Sequence, residues 1–232
     1  MKKNESDIEM LRQLVGIWEI LTEEEQQLIV QNYRIVHYKK NELIYRHGES
    51  SRNLLCVLKG KVKIYKDGVG GRTQIMRMMK PMQYFGYRAY FAGEEYVTNA
   101  AAVESTTIVC IPLPVIVQLL TTNNQLGMFF IKELAVDLGE SDCRTVNLTQ
   151  KHIRGRLAEA LVLLIEKYGM EEDGVTINIY LSREDLANLS NMTTSNAIRT
   201  LSIFVNERII AVDGRRIKII DEDHLRRISQ IG

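Results

Sequence analysis

The sequence predicts an α+β chain: an N-terminal jelly-roll β-domain, a long helix and a C-terminal winged helix-turn-helix. Three observations carry that expectation. Between Arg34 and Ile111 apolar residues recur at every second position, and turn residues interrupt them at short intervals. From Pro114 to about Leu148 the apolar spacing becomes helical. From Leu181 to Ile220 two short amphipathic segments are followed by two short strands. The matching divisions are residues 1–112 (β-roll with N-terminal helices), 113–148 (long helix) and 149–232 (winged helix-turn-helix).

A length of 232 residues suits one large or two small domains, and 45% hydrophobic residues suffice for a core. No apolar run reaches the ~18 residues that a membrane span needs. The start is not basic-then-apolar, so no signal peptide is expected either, and the chain is expected to be cytoplasmic. Cys56, Cys110 and Cys143 lie far apart and form no Cys-x-x-Cys pair, which suggests buried free thiols. His37, His47, His152 and His224 are equally dispersed, so no metal or cofactor site is expected. Net charge is +1 and does not announce a polyanion partner. From His152 onward 11 basic residues face 12 acidic ones; only Ser182–Ile220 tips positive, with six basic against four acidic residues.

The elements follow in order. A short helix is expected from Asp7 to about Val15, with Ile8, Leu11, Leu14 and Val15 on its apolar side. Thr22 and Glu25 form a capping box for a second helix ending near Tyr33. Candidate strands are Arg34–Tyr38, Glu42–Tyr45, Asn53–Lys59, Lys61–Lys66, Arg72–Met79, Thr98–Ala102 and Thr107–Ile111. Such a set closes into an antiparallel sandwich or jelly roll, which can enclose a ligand. The long helical stretch breaks near Thr121–Asn124. Its second part carries a seam of Gly127, Ile131, Leu134, Leu138, Ser141, Thr145 and Leu148, spaced 4, 3, 4, 3, 4, 3. A 3.5-residue seam suits a partner helix; packing within the chain is the alternative. Phe129, Phe130, Val136 and Val146 widen this apolar surface toward the β-domain. A further helix covers Lys151 to Tyr168, and Val175–Tyr180 alternates as a strand.

Ser182 is a good N-cap with Asp185 three positions on, and Leu186, Ala187 and Leu189 give the first short helix its apolar face. Asn191 stands where the chain must reverse, a place where Asn tolerates a left-handed backbone. Thr193 caps a second helix that is expected to bury Ala197, Leu201, Phe204 and Val205. Thr194, Ser195, Arg199 and Ser202 remain on the other face, which suits the major groove of DNA. Asp213-Gly214 signals a type I′ hairpin between two strands, and Arg215, Arg216 and Lys218 place cations where phosphates would lie.

This order resembles the cyclic-AMP receptor protein and fumarate–nitrate regulator (CRP/FNR) family of bacterial transcription factors, from about Leu28 to Ile220. The resemblance is carried by Gly48-Glu49, Leu58-Lys59-Gly60-Lys61-Val62 and Phe85-Gly86 in the roll, by the long helix, and by Leu181–Ile210. It implies a cyclic-nucleotide-binding-like roll and a homodimer on a palindromic operator. It implies RNA polymerase as a further partner and a small-molecule effector of unknown identity. Carried over, the base contacts are Arg199, Ser195 and Thr194. The phosphate contacts are Arg183, Thr193 and Asn196, with the wing's Arg215, Arg216 and Lys218. The dimer seam is Ile131, Leu134, Leu138, Ser141 and Thr145. Where the family often begins its recognition helix with Arg-Glu, this chain has Thr194 and Ser195, so only Arg199 agrees and the operator is expected to differ.

The effector pocket implied by the resemblance comprises Gly86, Tyr87, Arg88, Val97, Thr98 and Ser141. Cyclic-AMP-binding members place Glu and Arg where Tyr87 and Val97 stand. A buried phosphate without a counter-charge is costly, so cyclic-nucleotide binding by the usual mode is not expected. Tyr84, Phe85, Tyr87, Tyr90, Phe91 and Tyr96 either line an apolar pocket or fill the sandwich core. No nucleophile–base pair, phosphate loop or metal-ligand cluster appears, so no catalysis is expected. The alternative reading is a cyclic-nucleotide or other small-ligand binding module whose helix-turn-helix serves protein contacts.

Overall fold

The computed structural model describes Leu11 and residues 16–231. The helix expected over Asp7 to Val15 lies, apart from Leu11, outside the described residues. The chain divides into two compact units, one of Met1–Lys66 with Met76–Leu138, the other of Asp67–Ile75 with Gly139–Gly232.

In the first unit a 3-10 turn (Trp18–Ile20) leads into helix α1 (Glu23–Asn32). The capping box is formed: Glu25 N–H donates to Thr22 Oγ1 at 3.3 Å, and Thr22 N–H donates to Glu25 Oε2 at 2.9 Å. Strands β1 (Arg34–Tyr38), β2 (Leu43–Tyr45), β3 (Asn53–Lys59), β4 (Val62–Asp67), β5 (Thr73–Met79) and β6 (Tyr84–Phe85) follow, then a short helix α2 (Arg88–Phe91); Asp67 and the start of β5 through Ile75 count with the second unit. Strands β7 (Asn99–Ala102) and β8 (Thr106–Pro112) complete two four-stranded sheets, ordered β1-β8-β3-β6 and β2-β7-β4-β5. The pairing of β1 with β8, β3 with β8 and β4 with β7 is antiparallel.

Strand β3 is apolar at consecutive positions because it is buried on both faces. Leu54 and Cys56 join a core with Ile29 of α1, Ile111 of β8 and Ile116 of helix α3 (Leu113–Leu120). Leu55 and Val57 point the other way, into the sandwich with Tyr45, Ile64, Phe85, Tyr96 and Ala100. Gly60 makes the β3–β4 connection possible. Its φ is +90°, and a Cβ there would lie 2.5 Å from the Ser105 carbonyl oxygen. Only glycine combines that backbone with that approach.

Helix α4 (Asn124–Gln150) starts after the expected break; its residues through Leu138 count with the first unit and those from Gly139 with the second. Leu126 and Phe130 are buried. Val136 and Val146 are exposed and are not part of the buried apolar surface the sequence suggested. Cys143 is exposed as well, against the expectation of three buried thiols. The helix buries only a narrow stripe, and Cys143 lies off it. Cys56 and Cys110 are buried, and desolvation pushes their thiols up to about 12 and about 11.

The second unit contains α5 (Ile153–Tyr168), α6 (Arg183–Leu189), α7 (Thr194–Asn206), the hairpin β9 (Ile210–Asp213) and β10 (Arg216–Ile219), and α8 (Glu222–Ile231). Leu157, Ala158, Leu161 and Leu164 of α5 are buried, and α8 packs along this helix. The strand expected at Val175–Tyr180 is replaced by isolated bridges, Met170 to Ile177 and Thr176 to Lys218. Asp173 is the reason. Its carboxylate accepts from the Val175 and Thr176 amides at 3.0 and 2.8 Å and from the Thr176 hydroxyl at 2.5 Å, which bends the chain there. These bonds hold the Asp173 carboxyl down at about 2.

Candidate nucleic-acid interface

Helix α6 begins at Ser182, whose Oγ accepts from Asp185 N–H at 3.0 Å and donates to the Asp185 carboxylate at 2.8 Å. Leu186, Ala187 and Leu189 are buried. The chain then reverses through Asn191, at φ +50°. A left-handed Asn costs less than most residues would in this conformation. Thr193 Oγ1 accepts from Asn196 N–H at 3.2 Å and starts α7.

Helix α7 buries Ala197, Thr200, Leu201 and Phe204. Val205, expected in this set, is 39% exposed. The buried stripe follows 197, 201 and 204 at helical spacing and is widened by Thr200; Val205 falls beyond its edge. The outer face presents Thr194, Ser195, Ile198, Arg199 and Ser202. Arg199 Nη2 donates to Asn196 Oδ1 at 3.2 Å, one turn back on the same helix. Arg154 of α5 holds the far end of α7: it pairs with Glu207 at 2.5 Å and lies 5.3 Å over the Phe204 ring.

The wing departs from the expected turn by one residue. Arg216 pairs with Asp213 and Ile217 with Val212, so Gly214 and Arg215 are the two central residues. Gly214 has φ +56° while Arg215 is not left-handed. Positive φ at the first central position alone is the type II′ pattern, which wants Gly first. Asp213 is thereby used as the last ladder residue. Arg215 and Arg216 are exposed, with the Arg216 guanidinium 5.6 Å from the Tyr180 ring centroid. Lys218 is half-buried, and its charge helps depress the Asp173 carboxyl. Arg183 Nη2 donates to the Gly214 carbonyl at 2.7 Å, which ties α6 to the wing tip.

In the roll, the residues of the implied effector pocket have varied surroundings. Gly86 accepts a hydrogen bond at its carbonyl from Ser51 at 2.5 Å. Tyr87 is 2% exposed, stands 5.1 Å from Phe130 between ring centroids, and has a buried hydroxyl with no hydrogen-bond partner. Burial, with the carboxylates of Asp137 and Glu133, pushes this phenol well above the ordinary range. Arg88 points to the surface, paired with Glu94 at 3.0 Å. Val97 is exposed, and Thr98 lies 3.5 Å from the Tyr45 hydroxyl, itself stacked on Tyr96 with centroids 3.8 Å apart. Tyr84, Phe85, Tyr87 and Tyr96 are core residues, whereas Tyr90 and Phe91 are exposed. Ser141 belongs to the second unit and is exposed. On α4, Ile131 and Leu138 are 59% and 63% exposed, Leu134 is partly buried, and Thr145 is exposed. Among the described residues no helix is long and apolar enough to cross a membrane.

Comparison with known proteins decides what this arrangement is. Residues 35–123 match the cyclic nucleotide-binding domain family, and residues 155–228 match the Crp-like helix-turn-helix domain family. The chain belongs to the CRP/FNR family. Like other CRP/FNR members it is a DNA-binding transcription regulator that joins a cyclic-nucleotide-binding-type β-roll to a helix-turn-helix. A CRP-like cAMP-activated global transcriptional regulator of Mycobacterium tuberculosis is 22% identical over 193 residues, 83% of this chain and 86% of that one. The anaerobic regulatory protein of Bacillus subtilis is 25% identical over 191 residues, 81% of this chain and 80% of its own. Among solved structures, FixK2 of Bradyrhizobium japonicum shares the fold at a TM-score of 0.77 and 21% identity. That likeness covers 84% of this chain and 96% of FixK2. The CRP/FNR resemblance read from sequence, with its α+β fold class, is thus established. Sequence reasoning passed over Ile198 on α7. Its signal was available: an apolar residue three positions after Ser195 and next to Arg199, outside the buried stripe.

Proposed function

We propose that this regulator is a homodimer that reads a palindromic operator with α7, and that Arg199 is its principal base contact. The observation that carries the reading is the outer face of α7, where Thr194, Ser195 and Arg199 are exposed beside a wing bearing Arg215 and Arg216. Arg199 can address guanine O6 and N7 together, worth about 1–3 kcal/mol of discrimination. Thr194 and Ser195, being short, accept several base edges. Arg215 and Arg216 neutralise phosphates; Lys218 adds to their field. Arg183, Thr193 and Asn196 reach the backbone from positions where they also brace the wing, cap α7 and hold Arg199.

Ile131 and Leu138 supply the apolar contact of the dimer, with Leu134, Ser141 and Thr145 along the same line. Such a regulator works in the cytoplasm, with RNA polymerase as its downstream partner. Its roll does not take cyclic AMP in the usual way. Tyr87 is a buried, neutral phenol where a ribose-binding Glu would be needed, and Val97 offers a phosphate no charge. Micromolar binding of cyclic AMP in titration calorimetry would contradict this statement.

The operator is obtained by selecting from random duplex DNA with the full-length protein. Arg199→Ala should lower affinity for the selected site by at least about tenfold. Unchanged affinity would remove Arg199 from the base-reading set.

A further inference from the structure

We infer that Ile198 reads the 5-methyl group of a thymine in each half-site, next to the base addressed by Arg199. The inference rests on the DNA-reading role proposed above for α7. Ile198 is 48% exposed, although it belongs to a helix whose other side is fully packed by Ala197, Leu201 and Phe204. Its neighbours on the helix surface are Thr194 and Ser195, four and three positions before it, and Ser202 four after. All three are short and hydroxylated. Ile198 is therefore the longest apolar projection on a face whose other members are small polar groups and Arg199.

A single exposed aliphatic residue is ordinary on a protein surface. Position distinguishes this one. Recognition helices touch base edges with their N-terminal residues, and Ile198 is the fifth residue of α7, which begins at Thr194. The other exposed apolar residues of the helix, Ile203 and Val205, lie in its last turn before Asn206. In the major groove the thymine methyl is the apolar group that separates T from C, and an aliphatic side chain recognises it by contact. β-Branching suits the task. An Ile in a helix holds one χ1 rotamer for most of the time, so little side-chain freedom is lost when the groove closes on it. Short hydroxyl residues on either side let the groove come near enough for that contact.

The test uses the full-length protein and its selected operator. Each thymine of the half-site is replaced by deoxyuridine in both arms, which removes one methyl and keeps the pairing. Binding is measured for the wild type, Ile198→Ala and Ile198→Val. At one thymine the substitution should weaken wild-type binding by about fourfold per half-site, the effect of one buried methyl-sized group. Ile198→Ala should be insensitive to deoxyuridine at that position alone, while Ile198→Val keeps part of the effect. Equal losses in wild type and Ile198→Ala at every thymine would overturn the inference, as would a half-site without thymine beside the Arg199 base. Ile198 is half exposed, so the melting temperatures of the variants should match the wild type; a fall of several degrees in Ile198→Ala would assign the residue to packing instead. The two proposals fail differently. If selection enriches no sequence, the reading of α7 as a base reader falls, and Ile198 with it. If a site is enriched and Arg199→Ala weakens it without coupling between Ile198 and any thymine, only the present inference falls.

Discussion

Arg199 leaves α7 nearly two turns beyond the Thr193 cap, and its Nη2 donates to Asn196 Oδ1 at 3.2 Å along the helix surface. An arginine held in place loses less entropy on contact than a free one. A lysine substituted there would keep the charge but not the paired donors that match guanine. The cysteines show residue-scale differences of another kind. Cys56 and Cys110 are buried and hold their protons to about 12 and about 11, because burial disfavours the thiolate. Cys143 is exposed on α4. At neutral pH a thiol reagent should therefore add one label per folded chain, at Cys143, and three after unfolding; mass spectrometry of the intact protein counts them. Two or more labels on the folded chain would show that the roll opens readily. Exposure of Cys143 was not legible in the sequence, since a cysteine on a mixed helix face reads equally as core.

At the scale of elements, local chemistry was the most legible. Thr22 with Glu25, Ser182 and Thr193 all act as caps, and Asn191 takes the left-handed turn, because each signal depends on a few neighbouring residues. What escaped depended on pairing partners. The wing turn moved by one residue because the ladder between β9 and β10 took Asp213 into register with Arg216. Val175–Tyr180 alternates like a strand, but Asp173 captures the amides that a ladder would need. The shifted turn leaves Arg215 exposed at the tip, with Arg216 beside it. Replacing both by Gln should make the salt dependence of DNA binding shallower. Four fewer phosphate contacts per dimer correspond to a change of roughly 3–4 in the slope of log K against log salt. An unchanged slope would place the wing away from the phosphates.

For the whole molecule, the order of roll, long helix and winged helix-turn-helix could be read from periodicity alone, because a change of period from 2 to 3.6 and back spans many residues. The 3.5-residue seam of α4 could be read too, but not which of its members face outward. Leu134 packs partly against its own core, whereas Leu138 is 63% exposed. Leu138 is therefore the cleaner probe of association. Leu138→Glu should give monomers by sedimentation that remain folded and whose melting temperature no longer depends on protein concentration. Dimers persisting in this variant would move the interface elsewhere. Monomers should also lose affinity for the full palindrome far more than for a single half-site.

The bond from Arg183 to the Gly214 carbonyl has a kinetic consequence. A lone two-stranded ribbon is marginally stable in water. Here the ribbon is secured at its tip by α6 and along its edge by the bridge from Thr176 to Lys218, before DNA is present. If α7 and the wing contact DNA as proposed, docking would need no separate wing-folding step. The acceptor on the wing is a main-chain oxygen, so the latch tolerates changes of side chain at the tip.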